Sequence, residues 1–283
     1  MKFIKLSALF IIFIKINTSK THVIQAASVV PTHQSSHIRG DIWVHLWKEF
    51  GVNLTTYFVR RKTIINNLNY EISAIRNTEV SGLTIKDSKT VHFLPVKVNE
   101  VFPNLLIYEA YNCAINTLSK PNFENLKRLR VIDLQHNQIS SFSEDTFDDL
   151  HMLVHLDLAN NKIHGIQENS FKNLHALRNL YLGFNEIRHL PSNVFQPLKE
   201  LRKVALPSNK IRQIFNEHFS MNKKLTNVWL NENLLQCMDD EVFSDMTRLK
   251  FVYLEGNVCI DKDYRDKYLR NIKHDIERNC KQC

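Results

Sequence analysis

Thirteen histidines and five cysteines are the side chains of this 283-residue sequence best suited to metal binding or nucleophilic work. Neither set is spaced for it. A zinc hydrolase needs H-E-x-x-H so that two imidazoles share one helix face. A nucleophile elbow needs G-x-S-x-G, and a phosphate loop needs glycines placed before Lys and Ser/Thr. None of these strings occurs. Cys280 and Cys283 form a single C-x-x-C, weak support for redox chemistry at the end of a chain. His151, His155, His164, His175 and His189 are scattered and do not converge, so they read as surface and rim residues. The expectation is no catalytic residue, no metal ligand and no cofactor: not an enzyme.

Composition narrows the class further. Apolar residues make up 43% of the chain, with six glycines and seven prolines, which excludes disorder and collagen-like repetition. The net charge of +8 suggests nucleic acid until it is divided by region. Residues 1–26 hold four lysines and no acid, whereas residues 127–259 hold sixteen bases and sixteen acids. A nucleic-acid binder carries its positive stripe on the folded body, so no nucleic-acid partner is expected.

Met1–Ile16 combines Lys2 and Lys5 with a nine-residue apolar run, Leu6–Ile14, too short for a bilayer of about 30 Å. Residues 1–26 therefore read as a secretory signal peptide, with cleavage after Ser19 or Ala26. No later run approaches a membrane span, and Lys273–Cys280 is too charged for a lipid-anchor signal. A secreted, extracellular mature chain without a membrane span is expected, with Asn53 of Asn53-Leu54-Thr55 as a glycan acceptor.

The elements that position any site come from a repeat. Asn137, Asn161, Asn185, Asn209, Asn233 and Asn257 recur every 24 residues, as do Phe123, Phe147, Phe171, Phe195, Phe219 and Phe243. Each Asn has the same apolar frame, such as Leu177, Leu180, Leu182, Asn185, Ile187. Cys113 occupies the Asn position one repeat earlier, and a looser copy sits at Val80, Leu83 and Ile85. A two-residue alternation within each frame predicts a short strand, then a turn at the Asn. The Phe column fills the opposite, convex side.

The frame L-x-x-L-x-L-x-x-N/C-x-L resembles the 24-residue form of the extracellular leucine-rich repeat family, over residues 80–259. Toll-like receptor ectodomains and secreted immune leucine-rich repeat proteins are the members it is most like. The resemblance implies an α/β solenoid, a leucine-rich repeat horseshoe with a concave parallel β-sheet and Phe-lined convex side. Residues 260–283 form the C-terminal cap: Asp261 and Asp263 mark a helix start, and Tyr264, Tyr268, Leu269, Ile272 and Ile276 share one face of it. Residues 27–79 form a linker and N-terminal cap, whose alternation at Thr55, Tyr57 and Val59 and again at Tyr70 and Ile72, around the Asn66–Asn69 turn, predicts a β-hairpin.

The same resemblance implies a cap disulfide between Cys259 and Cys280, with Cys283 as the alternative partner. Cys113 and Cys237 lie five repeats apart, about 24 Å along the stack, too far to bond. Cys237 and Cys283 are left to pair, to stay as thiols, or to join two chains as an intermolecular bridge in a homodimer.

Side chains alternate along a strand, so three columns face outward on the concave sheet. The central column reads Glu109, Asp133, Asp157, Tyr181, Ala205, Trp229, Tyr253, with Phe251 beside it. An acidic zone (Glu109, Asp133, Asp157) suits a basic patch on a partner. An aromatic zone (Tyr181, Trp229, Phe251, Tyr253) offers anchors for a protein interface. The expected function is concave-face binding of an extracellular protein ligand. The resemblance extends this to innate immune recognition or extracellular signalling. The alternative is a structural, extracellular-matrix or self-assembling role.

Overall fold

The computed structural model describes residues 11–16, 27–31, 56–59, 70–73, 81–87, 89 and 91–281. Ser19, Ala26, Asn53, the Asn66–Asn69 turn and Cys283 lie outside these residues.

Three-residue strands stack in parallel, one per repeat: Val131–Asp133, His155–Asp157, Asn179–Tyr181, Lys203–Ala205, Asn227–Trp229 and Phe251–Tyr253. The longer strands Gly82–Lys86 and Ile107–Tyr111 precede them. Pairing is in register from rung to rung, Asp133 beside Asp157 beside Tyr181 beside Ala205 beside Trp229 beside Tyr253. The solenoid has about seven turns, and its other side is made of turns, two-residue strands and short 3-10 helices such as Lys120–Asn122 and Asn216–His218.

The ladder asparagines join each turn to the one before. The Asn185 amide nitrogen donates to the carbonyls of Leu182 at 3.0 Å and Gly183 at 3.2 Å in its own turn, and to Leu158 at 3.0 Å in the preceding one. Its Oδ1 accepts the Ile163 N–H at 2.9 Å, also one turn back. Asn161, Asn209 and Asn233 repeat the pattern. These four groups are stranded where the chain leaves the strand, and one buried primary amide satisfies all of them. Cys113 fills the same place with one thiol, which donates to Tyr111 O at 3.4 Å. The residue before each ladder position sits in the left-handed region, Asn112, His136, Asn160, Phe184, Ser208 and Glu232 having φ between 51° and 56°.

The phenylalanines form the second spine. Phe123, Phe147, Phe171, Phe195 and Phe219 are fully buried, and ring centroids lie 5.5 to 6.4 Å apart along Phe123–Phe147–Phe171 and along Phe195–Phe219–Phe243. The frame leucines fill the space between the spines.

The C-terminal cap differs from the expected single helix. Tyr264–Arg265 is a strand antiparallel to Phe251–Tyr253, Asp266–Asn271 is a 3-10 helix, and the α-helix is confined to Ile272–Asn279. Asp261 and Asp263 do not start the helix. In earlier turns, the amide two residues after each strand centre bonds the next rung, as Leu230 N–H does to Tyr253 O at 2.9 Å. The last strand has no next rung, so Asp263 Oδ1 accepts from Leu254 and Glu255 at 3.0 and 3.1 Å, and Asp261 Oδ1 from Gly256 at 2.6 Å. Tyr268 is exposed, whereas Tyr264, Ile272 and Ile276 are buried. Cys259 and Cys280 are disulfide-bonded, closing a sequence separation of 21 residues. Cys237 is disulfide-bonded as well, which removes its fate as a thiol, and its backbone bridges to Lys281. Cys113 is buried and outside any disulfide.

The N-terminal hairpin is corrected. Thr56–Val59 joins the ladder in parallel with Gly82–Lys86, and its other edge pairs antiparallel with Ala27–Pro31, inside the stretch read as a linker. Tyr70–Ser73 pairs instead with Ile11–Ile16. The open edge of a parallel ladder accepts another parallel strand, and Thr56 lies 26 residues before its partner Gly82, close to one repeat length.

Replacing one ladder amide in the middle of the stack strands four backbone groups between two turns. Asn185→Ala is expected to lower the unfolding free energy by about 2–4 kcal/mol in urea titration. Asn257→Ala, at a half-buried end rung, is expected to cost about half as much.

Candidate functional site

The in-register rungs bring the central column together as a line of side chains about 4.8 Å apart. The acidic part of that line is not an open surface. Glu109 is 8% exposed, Asp133 is fully buried and Asp157 is half-buried. Each carboxylate is held locally. Thr84 Oγ1, one rung earlier, donates to Glu109 at 2.8 Å. Gln135 gives Asp133 its backbone N–H at 3.0 Å and its side-chain amide at 2.9 Å. Ala159 N–H donates to Asp157 at 2.9 Å.

Burial with like charges on adjacent rungs favours the protonated forms. Glu109 is pushed up to about 7, first by burial and then by Asp133, against the lowering effects of the Thr84 hydrogen bond and Lys86. Asp157 is also pushed up to about 7, by burial and Asp133. Asp133 rises for the same leading reason, burial, with its Gln135 hydrogen bonds and His136 acting the other way.

The aromatic part divides in two. Trp229 stacks on Tyr253 with centroids 5.7 Å apart and planes within 1°, and Phe251 lies 6.3 Å from Tyr253. All three are half-buried, presenting part of each ring to solvent. Tyr181 is not part of this cluster: Ala205 stands between, and its ring lies 5.2 Å from that of His155. A Cβ on Gly183 would come within 2.8 Å of the Pro207 ring, so only glycine fits there.

His155 is buried, in contrast to the surface reading. Its Nδ1 has no hydrogen-bond partner, and burial, reinforced by Lys203, lowers its pKa to about 4. His151, His164, His175 and His189 are exposed. His218 is structural: its Nδ1 accepts the Phe215 N–H at 2.8 Å, and its Nε2 meets Leu190 O at 3.0 Å, doing what Asn122 does four repeats earlier. Among the described residues no group of three His, Cys, Asp or Glu is placed to hold a metal ion, and no helix is long and apolar enough to cross a membrane.

Sequence reasoning missed Thr84, which extends the column one rung, and the row of cations immediately before the strands. Arg130, Arg178, Arg202 and Lys250 hold equivalent places there, tied by backbone bonds such as Arg202 N–H to Arg178 O at 2.8 Å. Their signal was a fixed offset, seven residues before each ladder Asn.

A parallel-strand solenoid with a ladder amide in every turn defines a repeat scaffold that works by presenting a sheet. The family model for the leucine-rich repeat matches residues 111–163, 153–211 and 199–258, covering 148 of the 283 residues. The chain belongs to the leucine-rich repeat family, whose members are in general non-enzymatic protein-interaction scaffolds. It resembles Toll-like receptor ectodomains. The crystal structure of a TLR13–ssRNA13 complex is 26% identical, with a TM-score of 0.59, over 63% of this chain and 25% of that one. A leucine-rich repeat protein of Leptospira interrogans is 24% identical and shares the fold, with a TM-score of 0.58, over 64% of this chain and 44% of that one. The chain thus spans a quarter of the first and less than half of the second. No curated protein matches the sequence.

The raised carboxylates give the column a pH signature. Glu109 has a higher pKa folded than unfolded, so its stabilising contribution is fully present below about pH 4.5 and is lost as the pH rises to about 7. His155 acts oppositely: its folded value is depressed, so its contribution is lost as the pH falls from 6.5 towards 4. Glu109→Gln keeps an acceptor for Thr84 and isolates the carboxylate. The variant is expected to gain stability over wild type progressively from pH 4.5 to 7, by on the order of 3 kcal/mol, and then plateau. Urea unfolding of both proteins at fixed salt checks this, and a gap that does not change with pH counts against it.

Proposed function

We propose that this chain is a secreted, non-enzymatic leucine-rich repeat protein that holds an extracellular protein ligand on its concave face, in innate immune recognition or extracellular signalling. The observation carrying the reading is the stacked, part-exposed Trp229–Tyr253–Phe251 cluster on a rigid parallel sheet. Large aromatic rings fixed in place lose little entropy on binding and bury much area, as interface anchors do. The acidic column is a largely buried companion to this surface. Its carboxylates are committed to Thr84, Gln135 and Ala159, so it shapes the sheet more than it meets a partner.

Secretion rests on the apolar leader within residues 1–26 and on the disulfides, which persist in oxidising compartments. Removal of that leader takes the strand Ile11–Ile16 with it, while the ladder from Gly82 onward keeps every rung. Glycosylation of Asn53 belongs to the same reading. The TLR13 structure holds ssRNA, but the equal numbers of acids and bases in the repeats of this chain support a protein ligand rather than a polyanion.

Affinity capture from extracellular fluid tests the proposal, using wild type beside a folded Tyr181→Ala, Trp229→Ala, Tyr253→Ala variant. A protein held by wild type and lost by the variant is the expected result, since each lost anchor costs about 2 kcal/mol. Equal capture by both moves the site to the caps or convex side and favours self-assembly instead.

A further inference from the structure

Several cations elsewhere on the repeats pair with acids about one turn away: Lys172 with Asp148, Lys210 with Glu186, Lys223 with Asp245 and Lys224 with Glu200. The leading edge of the concave sheet gathers cations in one line. Arg178, Arg202 and Lys250 are exposed there and make no ion pair among the described residues, although Glu200, bonded to Lys224, lies within electrostatic reach of Arg178 and Arg202. Lys203, on the next residue and half-buried, also has none. An excess of positive charge on this edge borders the aromatic cluster, because Arg202 and Lys250 immediately precede the strands Lys203–Ala205 and Phe251–Tyr253. The trailing edge is of opposite character, with exposed Glu232 and Glu255.

Phe184 adds an apolar contact on that trailing edge. It is 54% exposed and holds φ 56°, at a turn position where the other repeats use Asn, His, Ser, Glu or Gly. A bulky residue kept in the left-handed region and open to water is costly, and such cost persists at contact sites.

From this pattern we infer that the face between Arg178 and Lys250 takes an acidic, aromatic-bearing segment of a protein partner, its carboxylates along the leading edge and its apolar side chains on Trp229, Tyr253 and Phe184. The inference rests on the concave-face reading above and names its partner's chemistry. Charge complementarity selects the occupant. A phosphate backbone is disfavoured because Glu232 and Glu255 line the opposite edge.

The test uses the full chain and a fluorescent random Glu–Tyr copolymer, with a Lys–Tyr copolymer, single-stranded polyuridylate and heparin as competitors of other chemistry. Wild type is expected to prefer the Glu–Tyr copolymer and to lose affinity as salt rises. Arg178→Glu, Arg202→Glu, Lys250→Glu is expected to weaken that binding at least tenfold, and the neutral Arg178→Gln, Arg202→Gln, Lys250→Gln by several-fold, with unchanged circular dichroism and melting temperature in both. Equal binding by wild type and the glutamine variant overturns the inference. So does tighter binding of polyuridylate or heparin than of the Glu–Tyr copolymer. An extracellular partner that is lost by the aromatic variant but retained by both charge variants overturns this inference alone, leaving the concave-face reading intact; a partner retained by all variants overturns both.

Discussion

One side-chain amide per turn is the interaction on which the rest depends. Where the chain leaves each strand, a tight left-handed turn strands carbonyls and an N–H that no regular ladder can reach. The buried Asn amide donates to two turns and accepts from one of them. It therefore couples every repeat to its predecessor, and the sheet and the Phe spine follow with the same 24-residue pitch. A thiol serves at Cys113 with a weaker donor, and at the far end Asp261 and Asp263 supply carboxylate acceptors in place of the missing next rung.

That pitch also governs the concave surface. Strands about 4.8 Å apart place equivalent side chains in contact, so each outward residue is partly or wholly covered by its neighbours. For aromatic rings the consequence is stacking, and Trp229 and Tyr253 lie parallel. For carboxylates it is desolvation beside like charge, which raises Glu109 and Asp157 towards neutrality. The same spacing thus yields a usable apolar platform in one half of the sheet and a guarded, protonation-prone column in the other.

Much of this was legible in the primary structure because the repeat is local and periodic. Asn185 announces its turn, and the alternation Leu180, Tyr181, Leu182 announces which residue faces outward. Less legible was what an outward position meets. Nothing in the spacing of Glu109 says that Thr84, 25 residues earlier, will bond it. Tyr181 and Trp229 share a column, yet Ala205 separates them and Tyr181 turns to His155. At the ends periodicity fails altogether: Asp261 and Asp263 looked like a helix start because both positions cap exposed amides, and only the fold shows whose amides they are.

The sequence by itself determined the repeat length, the inward and outward residues of each strand, the two spines and the family, since all follow from short-range alternation and a fixed pitch. The tertiary structure decided the burial of the acidic column, the division of the aromatics, the strand order at the N-terminal edge and the gathering of exposed cations along the leading edge. Those depend on which side chains neighbouring turns bring within reach, and desolvation and ion pairing act across that distance rather than along the chain.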